Sequence, residues 1–164
     1  MQLYLLRHGT AEKGKPGSPD SARALVPDGR KNLREVLRVA KAAGMSPKLI
    51  LTSPYRRAVE TAEIAAAVLG YKQELLRTSA LTPDSPAQSA WDEIRVHGDA
   101  EQLLLVGHEP LLSQLTGYLL ASPGLLMEFK TGGIVRIELD QLGAQPRGVL
   151  RWYLTPKLAR GTSE

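Results

Sequence analysis

Apolar residues along this chain fall into two alternating patterns. Three short runs, Leu3-Tyr4-Leu5-Leu6, Leu49-Ile50-Leu51 and Leu103 to Val106, are apolar at nearly every position, and each ends in a polar turn. Unbroken runs of this length mark strands buried on both faces, as in a parallel sheet covered by helices. Between them the spacing changes to that of a helix. Leu33, Val36, Leu37 and Ala40 recur at i, i+3, i+4 and i+7, which predicts a helix starting at Asp28-Gly29 and stopped by Gly44. A second helix is expected from about Arg57 to Leu69, closed by Gly70. A third carries Ala87, Ala90, Trp91 and Ile94, and a fourth carries Leu111, Leu115 and Leu119, with Pro110 in its first turn. Glu74 to Thr78 reads weakly as a strand. Ile134 to Leu139 alternates apolar and polar positions, and Val149 to Leu154 is its expected antiparallel partner. The tail after Pro156, from about residue 157, is expected to fray. Strands alternating with helices predict an α/β fold: a three-layer α/β/α sandwich with a mostly parallel mixed sheet and an antiparallel edge.

Composition narrows what such a fold can do. A chain of 164 residues is expected to form one domain, spanning 1–164. It has no cysteine and three histidines. Disulfides, thiolate nucleophiles, iron–sulfur clusters and cysteine zinc sites are therefore excluded. The Asp and Glu residues show no metal-ligand spacing, so no metal and no cofactor are expected. The net charge of +4 is spread along the chain, and aromatics are only 5%. No basic stripe with aromatic platforms appears, so nucleic acid is not an expected partner. The uncharged stretch Pro110 to Met127 is interrupted by Pro123, Gly117 and Gly124 and does not read as a membrane span. The apolar run at Leu3 meets Arg7 too early for a signal-peptide core, so the expected compartment is the cytoplasm.

Placement carries the chemistry. The turns that end the three buried strands hold Arg7-His8-Gly9, then Ser53 to Arg57, then Gly107-His108. Ligands of open α/β sheets bind outside the carboxyl ends of the strands. If these strands are parallel neighbours, two histidines and at least two arginines converge. Arginine forks match phosphate oxygens and stay charged at any working pH. A neutral imidazole is a competent nucleophile near neutral pH, and a second one, if protonated, stabilises phosphoryl oxygens. Glycine after His8 would allow close backbone approach to an anion or a positive φ. Such a site suits phosphoryl transfer to and from a histidine. Lys13 and Lys15, near Gly14 and Gly17, lack the spacing of a phosphate-binding loop.

These residues resemble the histidine phosphatase superfamily, which includes the phosphoglycerate mutase-like enzymes. Arg7-His8-Gly9 looks like its signature, Ser53-Pro54-Tyr55-Arg56-Arg57-Ala58 through Thr61-Ala62 like its second arginine motif, and Gly107-His108 like its second histidine motif. Asp20-Ser21-Ala22-Arg23-Ala24-Leu25, Leu81-Thr82-Pro83 and Trp152 to Lys157 are similar to the SixA-type phosphohistidine phosphatases. The resemblance implies a phosphoglycerate mutase-like fold and a metal-independent phosphatase. His8 would be the nucleophile. Arg7, Arg57 and His108 would hold the phosphoryl group. Arg57 is preferred to Arg56 because it directly precedes alanine, and Arg23 and Thr10 are candidates for the pocket rim. His97 is read as a helix-end residue. One departure bears on substrate. The mutase and broad phosphatase branches carry a glutamate acid where this chain has Leu81-Thr82-Pro83, and Asp84, Asp92 and Glu93 do not fit its position. An imidazole leaves more readily than a sugar alkoxide, so the gap favours a P–N bond. A short chain also leaves little room for a lid. The expected partner is a phosphohistidine protein of signal transduction. The alternatives are a small phosphate ester as substrate, or a phosphate-sensing adaptor with little turnover.

Overall fold

The computed structural model describes residues 1–161. Six strands form one mixed sheet: β1 (Gln2–Arg7), β2 (Leu49–Thr52), β3 (Leu76–Arg77), β4 (Gln102–Gly107), β5 (Ile134–Leu139) and β6 (Gly148–Leu154). Their order across the sheet is β3-β2-β4-β1-β5-β6. β1 to β4 pair in parallel, and β5 and β6 add antiparallel to the β1 side. The sheet is mixed and mostly parallel, as the run pattern indicates.

Strand periodicity sorts the side chains onto two faces. On one face Leu3, Leu5, Leu103 and Leu105 pack against α3 (Ala87–Val96) through Trp91 and Ile94, and against α4 (Leu111–Leu119) through Leu111, Leu115 and Leu119. On the other, Tyr4, Leu6, Ile50, Leu104 and Val106 pack against α1 (Pro27–Ala42) through Leu33, Val36 and Leu37, and against α2 (Arg56–Leu69) through Ala58, Ala62 and Ala65. Two apolar faces need two helical layers, which makes the α/β/α sandwich.

Several boundaries differ from the sequence expectation, each for a local reason. α1 begins at Pro27, so Gly29 sits inside its first turn rather than marking a cap. A Cβ there would lie 2.4 Å from the Thr10 carbonyl oxygen, so glycine lets the chain after His8 cross the helix. Gly9 does not adopt a positive φ; a Cβ on it would meet Leu33 Cδ1 at 2.7 Å, so its smallness serves helix packing. Pro110 lies immediately before α4, which starts at Leu111. β3 has two residues instead of five, because only Leu76 and Arg77 pair with β2. The tail expected to fray instead forms α5 (Pro156–Arg160). Thr155 caps it by accepting from the Leu158 N–H, and Arg160 reaches Asn32 and Glu35 on α1. Residues 162–164 lie outside the described residues. No described helix is long and apolar enough to cross a membrane, and the uncharged stretch from Pro110 holds only the nine-residue α4.

Candidate functional site

The parallel register aligns the strand ends. Arg7 on β1 is level with Gly107 on β4, and Thr52 on β2 is level with Val106. One residue further, His8 donates its backbone N–H to the Gly107 carbonyl and Ser53 donates to Val106, each at 3.0 Å. His8, His108 and Ser53 therefore leave one edge of the sheet side by side. The N-terminus of α2 brings Arg57 over the same edge. Thr61 fixes that approach. One turn after Arg57, its buried hydroxyl donates to the Arg57 carbonyl at 2.7 Å and accepts the Gly9 N–H at 3.2 Å.

The resulting cluster is compact. The His8 and His108 rings lie 5.0 Å apart between centroids. His8 donates Nδ1–H to the Gly9 carbonyl oxygen at 2.7 Å. That bond selects the tautomer whose Nε2 carries a lone pair. Nε2 in turn accepts from Arg57 Nε at 3.3 Å. Arg57 is only 3% exposed. Its Nη1 donates to the Asp20 carbonyl at 2.9 Å and its Nη2 to the Asp20 carboxylate at 3.0 Å. Tyr55 meets His108 in a T-shaped contact and lies with its face 5.1 Å from the Arg57 guanidinium carbon. His108 shares a 2.8 Å hydrogen bond with the Ser53 hydroxyl through Nε2, whereas its buried Nδ1 has no partner.

Arg7 stands at the border of the cluster. Its Nη1 donates to the Phe129 carbonyl at 2.6 Å, while its buried Nε is unpartnered. Gly132, at φ +71°, turns its N–H onto the Arg7 and His8 carbonyls and pins the strand end. Arg7 also lines an open cleft of about 660 Å³ with Glu109, Ser113, Leu125, Leu126 and Met127. An unpartnered N–H on Arg7, next to Arg57 and beside the unpartnered Nδ1 of His108, suits an oxyanion.

Burial sets the protonation of both rings. Loss of hydration pushes His8 down to about 4, outweighing the Gly9 bond, with Arg57 and Arg7 adding repulsion. The same loss of hydration pushes His108 to about 3, helped by His8 and Arg57. Both shifts favour the neutral imidazole at pH 7. Burial also pulls Arg7 below the ordinary arginine value.

The remaining sequence candidates divide clearly. Arg56 faces solvent and pairs with Glu60 at 2.9 Å. Arg23 reaches the cluster through Asp20, whose carboxylate it meets at 2.8 Å. Thr10 is exposed, 3.5 Å from the Thr131 hydroxyl. His97 ends α3 beside Glu93, near the amino ends of β2 and β4 rather than the carboxyl ends that carry the cluster. Asp92 and Glu93 line a separate hollow with Ser79, Ser85 and Val96, and Asp84 is exposed. Glu109 shares the Arg7 cleft, but its two oxygens accept from the Ser113 N–H and hydroxyl at 2.8 and 2.6 Å. Sequence reasoning missed Asp20, Ser53 and Tyr55 as members. Asp20 had a usable signal. A buried arginine requires an acceptor, and Glu12 and Asp20 are the only acids in the loop that precedes α1.

A mixed α/β sandwich with paired histidines and buried arginine at the carboxyl edge of its parallel strands defines the phosphoglycerate mutase-like class. Residues 3–81 match the family model of the histidine phosphatase superfamily (branch 1). The chain belongs to that superfamily. It is 36% identical to a Picosynechococcus protein over 115 residues, 70% of each chain. It is 29% identical to the phosphohistidine phosphatase SixA of Escherichia coli strain K12 over 161 residues, 95% of this chain and 94% of that one. The solved structure of the protein histidine phosphatase SixA complexed with tungstate superposes with a TM-score of 0.85 at 26% identity, covering 95% of this chain and 97% of that one.

Proposed function

We propose that the protein hydrolyses phosphohistidine on a partner protein, through a phosphorylated His8 and without a metal ion. The observation that carries this reading is the fixed tautomer of His8. Nδ1–H is committed to Gly9, so the Nε2 lone pair is available beside Arg57 at neutral pH. In the first step Nε2 attacks phosphorus in line. The new N–P bond forms as the substrate's P–N bond breaks, and its electron pair leaves on the substrate ring, which carries a proton on its other nitrogen and so departs as neutral imidazole. Arg57, Arg7 and the Nδ1 side of His108 hold the equatorial oxygens as charge redistributes. Water then attacks phosphorus, the P–Nε2 bond breaks with its electron pair returning to His8 Nε2, and inorganic phosphate leaves carrying the protons of the water. Tungstate is a tetrahedral oxyanion, and its complex with a SixA of the same fold supports this choice of ligand chemistry. Among the described residues, the carboxylates at the cluster and its cleft, Asp20 and Glu109, are committed to Arg57, Arg23 and Ser113. That suits an imidazole leaving group better than an alkoxide, and so favours a phosphohistidine protein over a small ester; the oriented pair of histidines favours turnover over a non-catalytic adaptor.

Rapid-quench labelling with a ³²P-phosphohistidine protein tests it. Wild-type protein is expected to form an acid-labile phosphoenzyme within one turnover, and His8→Ala to form none and release no phosphate. Phosphoenzyme formation by His8→Ala, or turnover of a sugar phosphate with the phosphohistidine protein left untouched, overturns the reading.

A further inference from the structure

We propose that Asp20 is the positioning residue of this site: it clamps Arg57 and Arg23 together so that one fixed edge of the Arg57 guanidinium faces His8. This rests on the reading of Arg57 as a phosphoryl ligand. The loop carrying Asp20 lies on the protein surface, and its side chain is 58% exposed. Even so, Asp20 bonds Arg57 twice, through its backbone carbonyl and through one carboxylate oxygen. The other carboxylate oxygen accepts from Arg23 Nε at 2.8 Å, and Arg23 Nη1 is anchored in turn on the Glu12 carbonyl at 2.8 Å.

A carboxylate beside arginines meant for an anion is costly, because it repels the anion it adjoins. Its use must therefore lie in geometry. Guanidinium is a rigid planar fork. Asp20 occupies Nη1 and one position on Nη2, and so fixes the rotation of the whole group. Nε is thereby held against His8 Nε2; once that nitrogen bonds phosphorus its lone pair is used, and the edge formed by Nε and Nη2 is released to the oxygens of the phosphoryl group. Without Asp20, the freed terminal edge would turn to the anion and bind it strongly in the wrong orientation. Burial opposes ionisation of Asp20, but hydrogen bonds from Arg23 and Arg57 outweigh it and hold the carboxyl below its ordinary value, so the clamp persists at neutral pH.

The test separates positioning from a merely structural role. Asp20→Ala and Asp20→Asn are compared with wild type in single-turnover kinetics and orthophosphate titration. NMR of the Arg57 Nε–H adds a readout independent of turnover. In Asp20→Ala, kcat is expected to fall about 10- to 100-fold, since small misplacements of a catalytic group cost this much. Orthophosphate is expected to bind as tightly or more tightly, because a negative charge has gone, and the Arg57 Nε–H resonance to broaden or exchange faster. Asp20→Asn, which keeps one acceptor, should fall between. Unchanged kcat with an unchanged Arg57 signal overturns the proposal. A parallel loss of kcat and orthophosphate affinity also overturns it, since Asp20 would then only maintain the site. If wild type forms no phosphoenzyme, the proposed function fails, and the Arg57 signal and orthophosphate affinity still decide the role of Asp20.

Discussion

At the scale of single residues, the site depends on Arg57 meeting three acceptors with one plane of atoms. Nε faces His8, and Nη1 and Nη2 face the two oxygens of Asp20 that lie on its side. Lysine offers the same charge as a point on a flexible stem, with no fixed fork. Arg57→Lys is therefore expected to behave much like a deletion. If Arg57 holds phosphoryl oxygens in the transition state, kcat should drop about 10²- to 10³-fold, the usual cost of removing one oriented donor. Steady-state kinetics on a phosphohistidine protein checks this, and a loss below about 5-fold would place the important donor elsewhere. Burial of the pair also explains how the Nε2 lone pair of His8 stays available. The same burial that costs solvation keeps the ring unprotonated down to about pH 4.

At the scale of elements, close backbone crossings matter more than side-chain chemistry. The chain leaving β1 passes over the first turn of α1, and Gly29 is the residue that lets it pass. Alanine is ordinarily about 1 kcal/mol better than glycine in a helix. Here its methyl would sit 2.4 Å from the Thr10 oxygen and 2.9 Å from the Thr10 nitrogen, both backbone atoms that cannot rotate aside. The clash should win, and Gly29→Ala should lose about 1–3 kcal/mol in urea unfolding despite its better propensity. A stabilised variant would show that the crossing can relax. The same crossing marks what the sequence made legible. Runs at β1, β2 and β4 and the helical spacing of Leu33 to Ala40 are local patterns, so strand ends and the turns bearing His8, Arg57 and His108 could be read directly. The partnership of Asp20 with Arg57 joins positions 37 apart, and that of Ser53 with His108 joins positions 55 apart. No periodicity encodes such contacts. The helical α5 was hidden for a similar reason, since its docking on α1 pairs Arg160 with Asn32 across 128 positions.

At the scale of the whole molecule, two buried neutral histidines couple the site to stability. In the unfolded chain each imidazole protonates near about pH 6.5. Folding lowers His8 to about 4 and His108 to about 3, mainly by burial. Between these values the unfolded state binds more protons than the folded one, so stability rises with pH. Their contribution is complete above about pH 6.5 and drains away as the pH falls toward the folded values. By pH 5 the loss should be roughly 1–2 kcal/mol per histidine. Two carboxylates held low, Asp20 by Arg23 and Arg57 and Glu60 by the Leu25 N–H and Arg56, act in the same direction. Their window opens only below about pH 5, where free carboxylates begin to protonate appreciably. The interval from pH 7.5 to 5 therefore isolates the histidines. Urea midpoints measured across it should fall for wild type and fall by about half as much for His8→Asn, which removes one of the two buried titrating rings. An unchanged slope in His8→Asn would mean that the free energy of keeping His8 neutral is not stored in the fold, and the link between its nucleophilic form and burial would have to be abandoned.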